Sequence, residues 1–173
     1  MSTNNKPRID YIRISWVQDS DPDVSYLEST LSEDGKTLIS SMRYTQKDLD
    51  DSPEETRRYI EEDKERLAKF YSGELVAYGC IAEAVTSYPL NETGDRRIEN
   101  FSSGGLWGIE SDAPRGYKED IATEELDDLK DHLEAYGVTI PENWLEIAAL
   151  AIEKMDNYET RKDSVISQWV KVN

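Results

Sequence analysis

The apolar residues of this chain follow two different periods, and the order in which these periods alternate constrains the fold most. Residues 8–17 are rich in β-branched and aromatic side chains, and Ile12, Ile14 and Trp16 occupy alternate positions. This pattern predicts a strand with one buried face. Three further stretches have a composition typical of strands: residues 36–44, 75–87 and 96–103. The turn sequence of residues 89–95 predicts that the last two strands pair as a hairpin.

Three segments have features of helices. A serine before a proline at residues 52–53 predicts a helix cap, and the helix then covers residues 52–71. A second helix is predicted over residues 115–136, where leucines recur at helical spacing and Gly137 closes the helix. A third is predicted over residues 139–157, which begin with threonine, isoleucine, proline and glutamate. Its apolar residues cover most of the circumference, so we expect it to be central or to face a second chain.

The order strand, strand, helix, strand, strand, helix, helix predicts an α+β fold. We expect an antiparallel sheet of about four strands with helices packed on one face. At 173 residues, the chain is predicted to be a single α+β domain over residues 1–173, with residues 138–173 as a helical C-terminal extension. Within that extension, Val165, Ile166, Trp169 and Val170 have helical spacing, and a strand is the alternative.

Charge limits the classes of partner. The chain has 37 acidic and 20 basic residues, a net charge of −17, and both ends are mildly basic. Such a surface repels nucleic acid and anionic membranes and attracts basic proteins, including those that hold nucleic acid. Four tryptophans and ten tyrosines favour a folded core over disorder. The single cysteine excludes an internal disulfide and favours a reducing cytoplasm, and no stretch is long and apolar enough to span a bilayer.

Four segments together resemble a known group of proteins. They are Ser25-Tyr26-Leu27-Glu28, YIEEDKERLAKFYSGE at 59–74, AYGCIAEA at 77–84 and FSSGGLWGIESD at 101–112. In this order they look like a family of small acidic proteins encoded by bacteriophages and integrated elements, over roughly residues 9–137. The resemblance implies a mobile-element protein that acts in the cytoplasm of a bacterial host. It implies no catalytic residue.

The second predicted helix carries a row of acids. The six are Asp120, Glu124, Asp127, Asp128, Asp131 and Glu134. At 100° per residue they share one face opposite the leucines, with Asp128 at its edge. The other five follow one another at steps of three or four residues, a rise of about 4.5–6 Å along the axis. This spacing is in the range of a phosphate track, so the face is a candidate mimic of nucleic acid. The alternative is an ordinary solvated helix face.

Asp63 breaks the pattern of the first helix. It falls in the middle of the apolar face defined by Tyr59, Ile60, Leu67 and Phe70. A buried carboxylate needs a charged or hydrogen-bonding partner, because its desolvation otherwise costs several kcal/mol. Candidate partners are Arg13, Arg43, Arg97 and the backbone amides of residues 103–105. Asp63 is predicted to be a structural pin, and a functional site is the alternative.

The glycine-rich segment 102–112 is the third candidate site. It is predicted to be a tight connection or bulge that places Trp107 in the core, while Asp112 suits a turn or helix-entry position. Glu110 and Asp112, together with Asp63, are suitable ligands for a divalent cation. Their spacing matches no EF-hand, and no metal and no cofactor is predicted.

These observations favour a non-enzymatic protein. The first hypothesis is that the acids of 120–134 bind a basic host protein that handles nucleic acid, such as a defence complex of the CRISPR type, and inhibit it by mimicry. The second is a divalent-metal enzyme that uses Asp63, Glu110 and Asp112. The third is an oligomeric assembly protein whose helix at 142–157 forms a homodimer interface.

Overall fold

The fold is described by a computed structural model, which covers residues 7–91, 95–155 and 169–172. The helices and strands are β1 (Arg8–Gln18), β2 (Ser29–Leu31), β3 (Leu38–Ser41), α1 (Gln46–Asp51), α2 (Pro53–Ser72), β4 (Ala77–Pro89), β5 (Arg96–Ser102), β6 (Leu106–Glu110), α3 (Arg115–Ala135), α4 (Trp144–Glu153) and β7 (Val170–Lys171). They form two compact units. The sheet unit comprises Met1–Gln18 and Tyr78–Asn173, and the hairpin unit comprises Asp19–Ala77. The single domain remains a prediction.

The sheet unit is built on five strands in the order β5-β4-β1-β7, with β6 also paired to β4. β1 and β4 run antiparallel, with Ile14 opposite Ala82, and β4 forms the predicted hairpin with β5. Helices pack against this sheet: α3 contacts β5, and α4 contacts β1, β7 and α3. The α+β class with an antiparallel sheet is therefore confirmed.

The two faces of the sheet differ in chemistry. Ile12, Ile14 and Trp16 are buried on one face, as their alternation predicted. On the other face, the Arg13 guanidinium donates two hydrogen bonds to the Glu83 carboxylate, at 2.7 and 3.0 Å. Burial raises the pKa of Glu83, but the hydrogen bonds from Arg13 and Ser15 outweigh that effect, so its pKa lies below the usual value.

The hairpin unit contains a small two-stranded sheet and two helices. β3 pairs with β2, a three-residue strand that the sequence pattern did not predict. α2 was predicted to carry a side-chain cap from Ser52, and this is wrong. Ser52 holds the N-cap position, but its side chain makes no capping bond. Its N–H donates to the Asp48 carbonyl, and this bond closes the C-terminal end of α1. A complete capping box between Thr45 and Asp48 starts α1 instead.

Two other sequence predictions fail in the sheet unit. The third helix starts at Trp144 and not at residue 139, because residues 141–143 form a turn in which the Trp144 N–H donates to the Pro141 carbonyl. The helical interpretation of the tail is wrong at Val170, which lies in β7 and is buried there. Val165 and Ile166 are outside the described residues.

Candidate functional site

The acids predicted to share a helix face all lie on α3, and every one of their side chains is exposed. This acidic face consists of Asp120, Glu124, Asp127, Asp128, Asp131 and Glu134. The apolar side of α3 is buried and includes Ile121, Ala122, Leu126, Leu129 and Leu133. The helix therefore anchors itself with one side and presents a row of carboxylates with the other.

No carboxylate of the acidic face forms a hydrogen bond or ion pair with another residue that the structure describes. On α2, by contrast, Arg58 lies 3.5 Å from Glu62 and Lys64 lies 2.7 Å from Glu61. Like charges three or four residues apart on a helix cost about 0.2–0.5 kcal/mol per pair. The acidic face therefore weakens α3, whereas mixed charges on α2 largely compensate one another.

Asp63 is buried on α2, with 8% of its side chain exposed. Arg43 donates a hydrogen bond to one carboxylate oxygen at 2.6 Å, and the Tyr44 hydroxyl donates to the other at 2.9 Å. Burial of Tyr44 is the larger cause, and its hydrogen bond to Asp63 the second, of a rise in the pKa of this tyrosine to about 12. Arg43 was among the partners predicted from the sequence, and Tyr44 was not. Both oxygens of Asp63 are thus engaged, as a structural pin requires.

Trp107 was expected in the core, and this expectation is wrong. Trp107 lies on β6 and is 46% exposed. The glycine-rich segment is partly a strand, in which Glu110 is half-buried, while Asp112 is exposed beyond it. Asp112 does not occupy the N-cap of α3, because that position is Pro114. Within the described ranges, no three His, Cys, Asp or Glu side chains are grouped so as to hold a metal ion.

Two charged residues lie on the buried side of α3, and the sequence interpretation missed both. Glu125 is 6% exposed, and its carboxylate accepts a hydrogen bond from the Gly105 N–H at 3.1 Å. Lys118 is also buried, and its ammonium donates to the Ser111 carbonyl at 2.9 Å. Both lie three or four residues from the buried Ala122. Helical spacing could therefore have identified them as charged residues on the buried side, as it did for Asp63.

Cys80 and His132 are the only cysteine and histidine of the sequence. Cys80 is fully buried, and burial together with the negative charge of Glu125 raises the pKa of its thiol to about 12. A thiol with such a pKa is almost entirely protonated at neutral pH and is a poor nucleophile. His132 is exposed, and its Nδ1 lies 3.2 Å from the carbonyl oxygen of Ser102.

Comparison of the chain with protein families, curated proteins and solved structures found no match. Among the helices of the described residues, none has the length and apolar character needed to cross a membrane. The candidate site therefore rests on its own geometry.

Proposed function

We propose that this protein is a non-enzymatic binding protein whose acidic face docks onto a basic protein that handles nucleic acid. The observation that carries the proposal is the row of six exposed carboxylates on α3, none of which forms an ion pair with another described residue, although Lys130 lies on the flank of the same face. A row that weakens its own helix has no advantage for stability, so a role in binding accounts for it better. On the resemblance to acidic phage proteins, we propose that this action takes place in the cytoplasm of a bacterial host, against a complex such as a defence nuclease.

Electrostatics explains how such a face recognises its partner. A groove lined by lysine and arginine normally binds phosphates, and carboxylates at helical spacing offer it comparable negative charge. The net charge of −17 adds long-range attraction, which raises the association rate and makes it sensitive to salt. The same charge repels free nucleic acid, so the partner we propose is a protein.

Affinity capture from bacterial lysate at low salt tests the proposal, with elution by rising salt and identification of the eluted proteins. In the test variant, the six acids of the acidic face are replaced by asparagine or glutamine. We expect the wild type to recover basic, nucleic-acid-handling proteins and the test variant to lose them. Equal recovery by both proteins would overturn the proposal.

A matched control separates the acidic face from net charge. α2 and the turn after it carry six exposed glutamates: Glu54, Glu55, Glu61, Glu62, Glu65 and Glu74. Replacing them by glutamine removes the same number of charges as the test variant. We expect this control variant to retain the captured proteins, because the proposal depends on where the charges are located.

A second candidate is a homodimer through α4, and one observation favours it. Leu145 on α4 is 80% exposed, and the nearby Leu150 is also exposed. Light scattering of the purified protein decides between a monomer and a dimer, and substitution of Leu145 by Glu is expected to dissociate a dimer formed by this face. The metal-enzyme alternative has no comparable support, since the described residues contain no cluster of metal ligands.

A further inference from the structure

The indole of Trp107 lies flat on a glycine of the neighbouring strand. A Cβ added to Gly79 would lie 2.5 Å from two adjacent ring carbons of Trp107 and 2.8 Å from a third. Because three consecutive ring carbons lie at nearly equal distances from this Cβ position, the position is above the face of the ring and not beside its edge. One face of the indole therefore rests on β4, where glycine leaves the necessary room. With this face covered, Trp107 is still 46% exposed, so the exposed area belongs to the opposite face and the edge of the ring.

Hydrogen bonds hold the backbone before Trp107 in place. The Ser103 N–H donates to the Ala82 carbonyl, and the Ala82 N–H donates to the Ser103 hydroxyl oxygen. The Gly105 N–H donates to the buried carboxylate of Glu125 on α3. The backbone that carries the ring is thus already ordered, which lowers the entropic cost of binding a ligand.

The other exposed tryptophan in the described part of the chain already has a cation on its ring. The Arg13 guanidinium lies 4.3 Å from the ring centroid of Trp169, and Tyr11 packs edge-on against the same side chain. Within that part of the chain, Trp107 has neither a cation nor a second aromatic ring as a partner. The net charge of −17 favours a cation as the ligand of this ring, because the electron-rich face of an indole attracts cations.

We infer that the open face of Trp107 receives an arginine side chain of the basic partner, a contact that rests on the proposed function. A guanidinium is planar and weakly hydrated, so it stacks on an indole more readily than a lysine ammonium does. Arg13 on Trp169 shows the same contact within this chain. The acidic face supplies attraction to any basic surface, and Trp107 adds a preference for arginine.

Two charge-matched probes test this inference, namely decaarginine and decalysine, each titrated into ¹⁵N-labelled protein. The four tryptophans give four indole N–H signals, and the Trp107 signal is the one missing from Trp107→Phe. We expect decaarginine to shift this signal more than decalysine does. Trp107→Ala is expected to weaken decaarginine binding about two- to fivefold and decalysine binding by less. Leu106→Ala, which removes an exposed apolar side chain from the same strand, is the control and is expected to leave both affinities unchanged.

The outcomes separate the inference from the proposed function. An unshifted Trp107 signal in the wild type, or equal affinity of wild type and Trp107→Ala for decaarginine, overturns the stacking contact. That result leaves the proposed function standing if neutralising the acidic face still weakens both peptides. Unchanged binding of both peptides after that neutralisation overturns the proposed function itself. The shift in the wild type is informative even if Trp107→Ala does not fold.

Discussion

Replacement of Asp63 by alanine is expected to destabilise the hairpin unit strongly. The substitution removes the acceptor for Arg43 and for Tyr44. A hydrogen bond to a charged group contributes about 1.5–3 kcal/mol, and the Tyr44 bond belongs in that range. The Arg43 side chain is 46% exposed, so water rehydrates it and its share falls to about 1 kcal/mol. The free energy of unfolding should therefore fall by about 2.5–4 kcal/mol.

Urea unfolding followed by circular dichroism measures this loss. Asp63→Asn keeps an oxygen for Tyr44 but removes the charge, so we expect a smaller loss of about 1–2 kcal/mol. Asp51→Ala is the matched control, because Asp51 pairs with Lys47 on the exposed surface of α1 and such pairs contribute about 0–1 kcal/mol. If Asp63→Ala unfolds within about 0.5 kcal/mol of the wild type, Asp63 is not a structural pin.

Three further predictions concern the sheet unit. Asp131→Asn should raise the free energy of unfolding by about 0.6–1.5 kcal/mol, because Asp131 has three like-charged neighbours at spacings of three or four residues. A lower free energy of unfolding, measured by urea titration, contradicts this. Gly79→Ala should displace the indole of Trp107 and cost about 1–3 kcal/mol, and an unchanged indole N–H shift contradicts it. Glu83→Gln should be less stable than the wild type at pH 7. Since the folded pKa of Glu83 is lowered, its contribution is present above the unfolded value of about 4.3 and is lost as the pH falls through the folded pKa. The gap between the two proteins in urea titrations should therefore narrow as the pH falls below about 4.3, and a constant gap contradicts the assignment.

Long periodic segments were predicted well because one face of each is buried. The alternation of residues 8–17 identified β1, and the leucine spacing of residues 115–136 identified α3 within one residue at its C-terminal end. Two short elements were not predicted, β2 with three residues and β6 with five, whereas β3 lies within the predicted strand 36–44. Such lengths contain too little periodicity to distinguish a strand from a connection.

The candidate site was only partly predictable. Helical spacing predicted that the acids of the acidic face share one side of α3, because residues at steps of three or four lie at similar angles around the helix axis. Trp107 was misplaced because its position depends on Gly79, which lies 28 residues earlier in the sequence and is adjacent only after β6 pairs with β4. The partner Tyr44 of Asp63 was missed for a similar reason, as no local pattern brings a loop tyrosine to a helix.

The salt dependence of binding tests the central claim most directly. The captured partner is titrated with wild-type protein, with the test variant lacking the acidic face and with the α2 control, between about 50 and 200 mM salt. For wild type and control, the logarithm of the association constant should fall steeply and linearly with the logarithm of salt concentration. The test variant should bind more weakly and show a shallower slope, since fewer charges are neutralised. Identical slopes and affinities for the wild type and the test variant would contradict a partner bound through Asp120–Glu134.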